Sequence, residues 1–253
     1  MIEQESKWLF ENNIKIIIQS ERMKLYYKYI ETLLRKNAVY VCTCSQESFK
    51  QFIMIKKHCP CRDISVNEQK KRWKKMLDKK GYKEGEAVVR FKSGMNLKNP
   101  AFRDFPLARI NLTKHHLQKN KFKVWPLMNL AVTVDDIELK ITHVIRAKDH
   151  RDNAERQKMM FKVLGKKYPE SYYLGRIHLK DMALSSSKTR KDIEEGKYTG
   201  WDDQRLFTIA SLKKQGFTPI AFWKLAEQIG LNEVDKTIDR KELLLLLRNF
   251  NKK

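Results

Sequence analysis

Four cysteines stand in two close pairs, Cys42-Thr43-Cys44 and Cys59-Pro60-Cys61, and the 253-residue chain has no others. Two such pairs offer four thiolates, the tetrahedral set that Zn²⁺ prefers in closed structural sites. The competing reading is four small core residues that share no ion. His58 adjoins the second pair and reads as a neighbour rather than a ligand. Asp135-Asp136 places two carboxylates on successive residues. Their simplest role is to orient nearby groups by hydrogen bonds rather than to bind metal. Ser185-Ser186-Ser187-Lys188 gathers hydroxyls and a cation. Such a turn caps a helix, because a serine oxygen takes up an unpaired backbone N–H.

These groups need elements to hold them. Ile14-Lys15-Ile16-Ile17-Ile18 reads as a short buried strand. Ser20 then caps a helix whose apolar residues Met23, Tyr26, Tyr27, Ile30, Leu33 and Leu34 recur at helical spacing. Val39-Tyr40-Val41 is a second strand, and strand–helix–strand order predicts an α/β unit with a parallel sheet. From Cys42 to Lys123 the pattern changes and reads as an inserted module. There Ser65-Val66-Asn67-Glu68 has capping-box spacing before a basic helix that ends at Gly81, and Ala87–Lys92 is strand-like. The α/β character returns with a strand over Ile141–Arg146 and a helix over Asn153–Leu164. Beyond Gly200 the chain reads all-helical. Thr218-Pro219 opens one helix, Gly230 closes it, and Asp239 with Glu242 starts another.

Fifty-three Lys and Arg against 30 Asp and Glu give a formal net charge of +23. The positive charge is clustered, most densely in KKRWKKMLDKK at 70–80. Clustered cations favour an anionic partner, and nucleic acid first, because neutralising phosphates supplies most non-specific affinity. The N-terminal MIEQESKWLF is mixed in charge and does not read as a signal peptide. The aliphatic run Leu243–Leu247 is far short of the roughly 20 residues that span a bilayer. A soluble cytoplasmic protein without a membrane partner is expected. Only 9 Gly and 6 Pro argue against long flexible linkers.

Short motifs in a fixed order then point to a family. They are Tyr40-Val41-Cys42-Thr43-Cys44 with the later Cys-x-Cys-Arg, Ala87–Lys92, Asn99-Pro100-Ala101, and Arg103-Asp104. Further on come Trp125-Pro126, Val134-Asp135-Asp136, Thr142–Arg146 with Asp149-His150 and Asn153, Leu184–Lys188, and Gly200-Trp201-Asp202-Asp203 with Arg205-Leu206. Together they resemble class I aminoacyl-tRNA synthetases of the archaeal glutamyl-tRNA type, along nearly the whole chain.

The resemblance implies a Rossmann-like catalytic α/β fold, incomplete here, with an inserted zinc-bearing α+β acceptor-binding domain and a C-terminal helical stem-contact region. The implied boundaries are 1–41, 42–123, 124–199 and 200–253. It implies ATP-dependent ligation of glutamate to tRNA, with ATP and Mg²⁺ at the active site and structural Zn²⁺ on Cys42, Cys44, Cys59 and Cys61. Arg146 is the implied pocket arginine, whose planar fork suits a carboxylate. A surface ion pair with Asp149 is the plainer role for it. Trp125, Met128 and Asn129 line the implied amino-acid pocket. The family usually has Tyr at the first two of these positions and an acidic residue or His at the third, so Trp125 keeps an aromatic wall while Met128 loses a hydroxyl. Ser185, Ser187 and Lys188 fall in the implied Lys-Met-Ser-Lys-Ser loop, which steadies triphosphate charge. Ala183 and Ser186 replace its lysines, and Lys188 and Arg190 supply charge further along. Arg72, Trp73, Arg90, Arg103 and Asp104, with Arg109, are the implied contacts to the acceptor stem.

The family's His-x-Gly-His signature does not occur in the sequence. Three accounts stay open at this point: a split gene whose other polypeptide carries that half, a fragment of a longer protein, or a non-catalytic tRNA acceptor-stem-binding protein. Glutamine also stays open as substrate, because part of the side-chain contact set belongs to the absent segment.

Overall fold

The computed structural model describes residues 2–180 and 185–251. In chain order the elements begin with α1 (Ile2–Leu9), α2 (Met23–Arg35), β1 (Val39–Cys42), α3 (Gln46–Met54) and α4 (Val66–Leu77). There follow β2 (Val88–Phe91), β3 (Pro106–Ile110), β4 (Val124–Pro126), α5 (Met128–Glu138), β5 (His143–Ala147) and α6 (Arg151–Leu164). The last group is β6 (Glu170–Leu174), β7 (Ile177–Leu179), α7 (Ser186–Glu194), α8 (Ile209–Lys214), α9 (Pro219–Ile229), β8 (Lys236–Ile238) and α10 (Arg240–Asn251). The chain divides into two compact units, one formed by residues 18–144 with 149–171, the other by 2–17, 145–148 and the described part of 172–251.

The first unit is built on a four-stranded sheet in the order β1-β2-β3-β4, antiparallel throughout. All four residues of β1 are buried, and their alternation serves two cores. Val39 and Val41 join the main core with the α2 face, Trp73, Met76, Leu107 and Leu130. Tyr40 and Cys42 point to a smaller cluster with Phe49, Cys59 and Cys61. Helix α2 buries Met23, Tyr26, Ile30, Leu33 and Leu34, the stripe its spacing predicts. Each such side chain contributes about 1.5–3 kcal/mol when fully buried. Ser65 caps α4 by accepting from the Glu68 N–H at 3.3 Å, as the capping-box spacing predicts. That helix stops at Leu77 rather than Gly81.

The parallel strand–helix–strand unit expected at the start does not form. Residues 13–18 make no strand, and Val39–Cys42 pairs antiparallel with Val88–Phe91. An apolar β-branched run becomes a strand only where a partner takes its backbone groups. The boundary expected after residue 41 therefore falls inside β1, and the module from 42 onward continues the sheet that α2 covers.

In the second unit Leu212, Phe217, Ala221 and Leu247 form the core. The ring of Trp8 meets Phe222 edge-on at 5.9 Å, and Trp223 Nε1 donates to the Leu9 carbonyl at 2.8 Å. The all-helical expectation beyond Gly200 is corrected by β8, which pairs parallel with β7. Among the described residues no helix is long and apolar enough to cross a membrane.

Candidate functional site

The sheet and its flanking turns bring the four cysteines together. Cys42 ends β1, Cys44 follows it, Cys59 precedes the short turn Pro60–Arg62, and Cys61 lies within that turn. Their sulfurs all lie within 4.8 Å of one another, with Cys42 to Cys59 at 3.8 Å and Cys44 to Cys61 at 3.9 Å. A tetrahedron of sulfurs about 2.3 Å from Zn²⁺ has edges of roughly 3.8 Å. All four thiols are free of disulfides. Hydrogen bonding from Cys42 pushes Cys59 up and Cys61 down from the ordinary thiol range, and burial pushes Cys44 up to about 11. With all four deprotonated, a shared cation would offset the repulsion between charges this close. Among the described residues this is the one group placed to hold a metal, and Asp135-Asp136 is not part of one.

Around the cysteines lies a buried polar shell. Asp104 is fully buried and accepts from Arg62 Nη1 at 2.7 Å, Tyr40 OH at 2.9 Å and the Ser93 N–H at 3.1 Å. The Tyr40 hydroxyl also receives the Cys59 thiol at 3.6 Å. Asp104 sits at φ +38°, a region that Asp and Asn tolerate better than other side chains. Replacing it by Asn keeps that backbone preference and removes the charge. Breaking a buried pair while leaving Arg62 inside costs about 3–5 kcal/mol. Asp104→Asn is therefore expected to lower the urea midpoint sharply at unchanged slope, and an unchanged midpoint would remove Asp104 from the framework of the cysteine centre.

The residues implied as RNA contacts differ in depth. Arg103 is buried and donates to the carbonyls of Leu97, Ile53 and Lys98 at 2.8, 2.8 and 3.2 Å. Trp73 is also buried, inside the main core. As folded, these two and Asp104 lie beneath the surface rather than on it. Arg72 and Arg90 are half-buried, the Arg90 guanidinium lying 3.4 Å from the Phe49 ring centroid. Arg109 is exposed, as are Lys70, Lys71, Lys74 and Lys75 on the outer face of α4.

The residues implied for amino-acid binding are divided between the two units. Trp125 lies on β4 and stacks on His115 with ring centroids 4.8 Å apart. Met128 and Asn129 form the first turn of α5. Met128 is exposed, and Asn129 Oδ1 accepts from Gln157 at 3.5 Å. These three belong to the first unit, and Arg146, half-buried on β5, belongs to the second. Asp135 accepts from Gln19 at 2.9 Å, Arg22 at 2.7 Å and Tyr26 at 2.9 Å, so it fixes α5 against α2. Burial raises the Tyr26 hydroxyl above its usual range, and the bond to Asp135 adds to this. Ser185 accepts from the Lys188 N–H at 3.3 Å and caps α7, with Ser187 and Lys188 exposed on its first turn. Ala183 and Leu184 lie outside the described residues.

Sequence reasoning missed Tyr40, Ser93 and Gln69 as members of the cysteine framework. Gln69 left a signal: it is a polar side chain on the stripe Gln69, Trp73, Met76 that α4 buries.

The family model described as tRNA synthetases class I (E and Q), catalytic domain, matches residues 1–253. The chain belongs to this family. A glutamate–tRNA ligase of Pyrococcus horikoshii is 44% identical over 251 residues, covering 99% of this chain and 44% of that protein. One from Methanothermobacter marburgensis is 41% identical over 250 residues, covering 99% and 45%. The chain thus spans less than half the length of these relatives. The crystal structure of a glutamate-tRNA synthetase from Elizabethkingia anophelis matches with a TM-score of 0.57 at 17% identity, over 97% of this chain and 58% of that one. A glutamate tRNA ligase from Elizabethkingia meningosepticum, crystallised in complex with its amino acid, gives 0.53 at 19%, over 96% and 53%. At these identities the likeness is one of fold, and it agrees with a mixed α/β class I synthetase.

Proposed function

We propose that this chain carries part of a glutamyl-tRNA synthetase, which activates glutamate with ATP and transfers it to the 3′ end of tRNA. The observation that carries this is the match over 99% of the chain to glutamate–tRNA ligases at 44% identity. In this reading Arg146 pairs with the substrate's side-chain carboxylate, and Trp125, Met128 and Asn129 also contact the amino acid. Ser185, Ser187 and Lys188 stabilise triphosphate charge, with Mg²⁺ accompanying the ATP. The four cysteines hold a structural Zn²⁺, which supplies no chemistry to the reaction. The work is done in the cytoplasm, together with a His-x-Gly-His segment, whether joined to this chain or on a complementary polypeptide. The test is charging: supplied with that segment from an archaeal relative, the chain should ligate glutamate, and not glutamine, to tRNA.

A second reading is a non-catalytic tRNA acceptor-stem-binding protein. The exposed Met128 and the use of Ser185 as a plain helix cap favour it. Salt-dependent RNA binding without charging would decide for it.

Both readings need RNA contact. The exposed lysines of α4, with Arg109 and the half-buried Arg72 and Arg90, supply the cations. Binding to an acceptor-stem hairpin should fall steeply with salt, because each neutralised phosphate releases counterions. Replacing Lys71 and Lys74 by Ala should lower the slope of log Kd against log salt by roughly one for each phosphate that is no longer neutralised. Binding indifferent to salt would leave the lysines as a solvated face.

A further inference from the structure

The cysteine centre and the basic helix are joined by two side chains, of which Gln69 makes the shorter bonds. Gln69 is buried on the inner face of α4. Its Nε2 donates to the Cys61 carbonyl at 2.6 Å, and its Oε1 accepts from the Val41 N–H at 2.7 Å. Val41 precedes Cys42 on β1, so the amide grips both halves of the cysteine centre, one through each end. A second, looser link runs beside it. The Cys61 sulfur accepts from the Thr43 N–H at 3.4 Å and lies 3.5 Å from the Thr43 hydroxyl. Arg72 Nη1, one turn along α4 from Gln69, rests 3.5 Å from that hydroxyl and 3.4 Å from the Val41 carbonyl. Lys70, Lys71, Lys74 and Lys75 occupy the opposite, exposed face of the same helix.

We infer that metal binding by the four cysteines and RNA binding by α4 are thermodynamically linked, with Gln69 as the positioning residue that couples them. The inference rests on the RNA contact proposed above for this helix. An ion that draws Cys42 and Cys61 together fixes the two backbone groups that Gln69 holds. It thereby sets the rotation and height of α4, and with them the array of lysines that meets phosphates. When the Cys61 turn is released, Gln69 loses one end of its grip, and the lysines sample orientations that no longer match the backbone of a stem. Coupling between two sites is reciprocal: whatever factor the ion adds to RNA affinity, RNA must add to ion affinity.

The experiment measures that reciprocity on the full chain. Co²⁺ affinity is read from its thiolate absorption in competition with a chromophoric chelator, with and without saturating acceptor-stem hairpin. RNA affinity is read with and without the metal. The expected result is a gain of about tenfold in each direction, equal within error, in the range typical of coupled sites. Gln69→Met keeps the volume and removes both hydrogen bonds. It is expected to retain the thiolate absorption while the gain falls toward one. The wild-type reciprocity stands without that variant if its folding is impaired. RNA that leaves Co²⁺ affinity unchanged, although the loaded protein binds RNA, would overturn the linkage alone. Loaded protein that binds no RNA would overturn the RNA contact and the linkage with it. A Gln69→Met protein with the full reciprocal gain would overturn the role of Gln69.

Discussion

Removing metal from the cysteine centre is expected to open residues 42–61 and to lower the melting temperature by more than about 10 °C. The magnitude follows from what else holds this region. Its core cluster contains Tyr40, Phe49 and three of the sulfurs themselves, so the centre is most of its own core. Structural Zn²⁺ binds with apparent free energies of about 10–16 kcal/mol, which is comparable to the whole stability of a domain. Half of that, at roughly 2–4 °C per kcal/mol for a chain of this size, amounts to about ten degrees or more. The main core, with α2 and Leu107, does not depend on the sulfurs, so the loss should be local first. Elemental analysis should find about one Zn²⁺ per chain. Chelation should turn four protected thiols reactive toward a thiol dye, and Cys61→Ser should reproduce the drop in melting temperature. Fully metal-free protein with unchanged melting and protected thiols would show that the four cysteines pack without an ion.

The cysteine spacing was legible because two pairs of one type at equal spacing have few other uses, and the structure brings all four sulfurs together. The stripe on α2 and the caps at Ser65 and Gly230 were legible because each is set by residues within a turn or two. Strand partners were not. Ile14–Ile18 looks more like a strand than Lys236–Ile238 does, yet only the second acquires a neighbour, Ile177–Leu179, far away in sequence. Depth was hidden in the same way. Arg103 and Asp104 are charged, and charge alone suggests a surface. Their burial becomes visible only once three carbonyls and a half-buried arginine are placed around them. Gln69 lay between these cases. Its position on a buried stripe marked it as a polar group that needs partners, without saying that they belong to the cysteine centre.

The 253 residues by themselves are expected to show negligible glutamate-dependent ATP–pyrophosphate exchange. In the proposed reading ATP is gripped by a His-x-Gly-His loop and by the loop at Ser185–Lys188. Groups that act as a unit lose most of the rate enhancement when either part is removed, so half of the grip does not give half of the rate. Supplying a His-x-Gly-His segment together with tRNA should restore exchange. Arg146→Ala should then lower kcat/KM for glutamate by about a thousandfold, because an unpaired substrate carboxylate costs roughly 2–5 kcal/mol and each 1.4 kcal/mol is tenfold. The most direct measurement is therefore exchange by the complemented protein, with and without Arg146. The account predicts activity that needs both the added segment and the arginine. Robust exchange by these 253 residues alone, or full exchange by complemented Arg146→Ala, would contradict it.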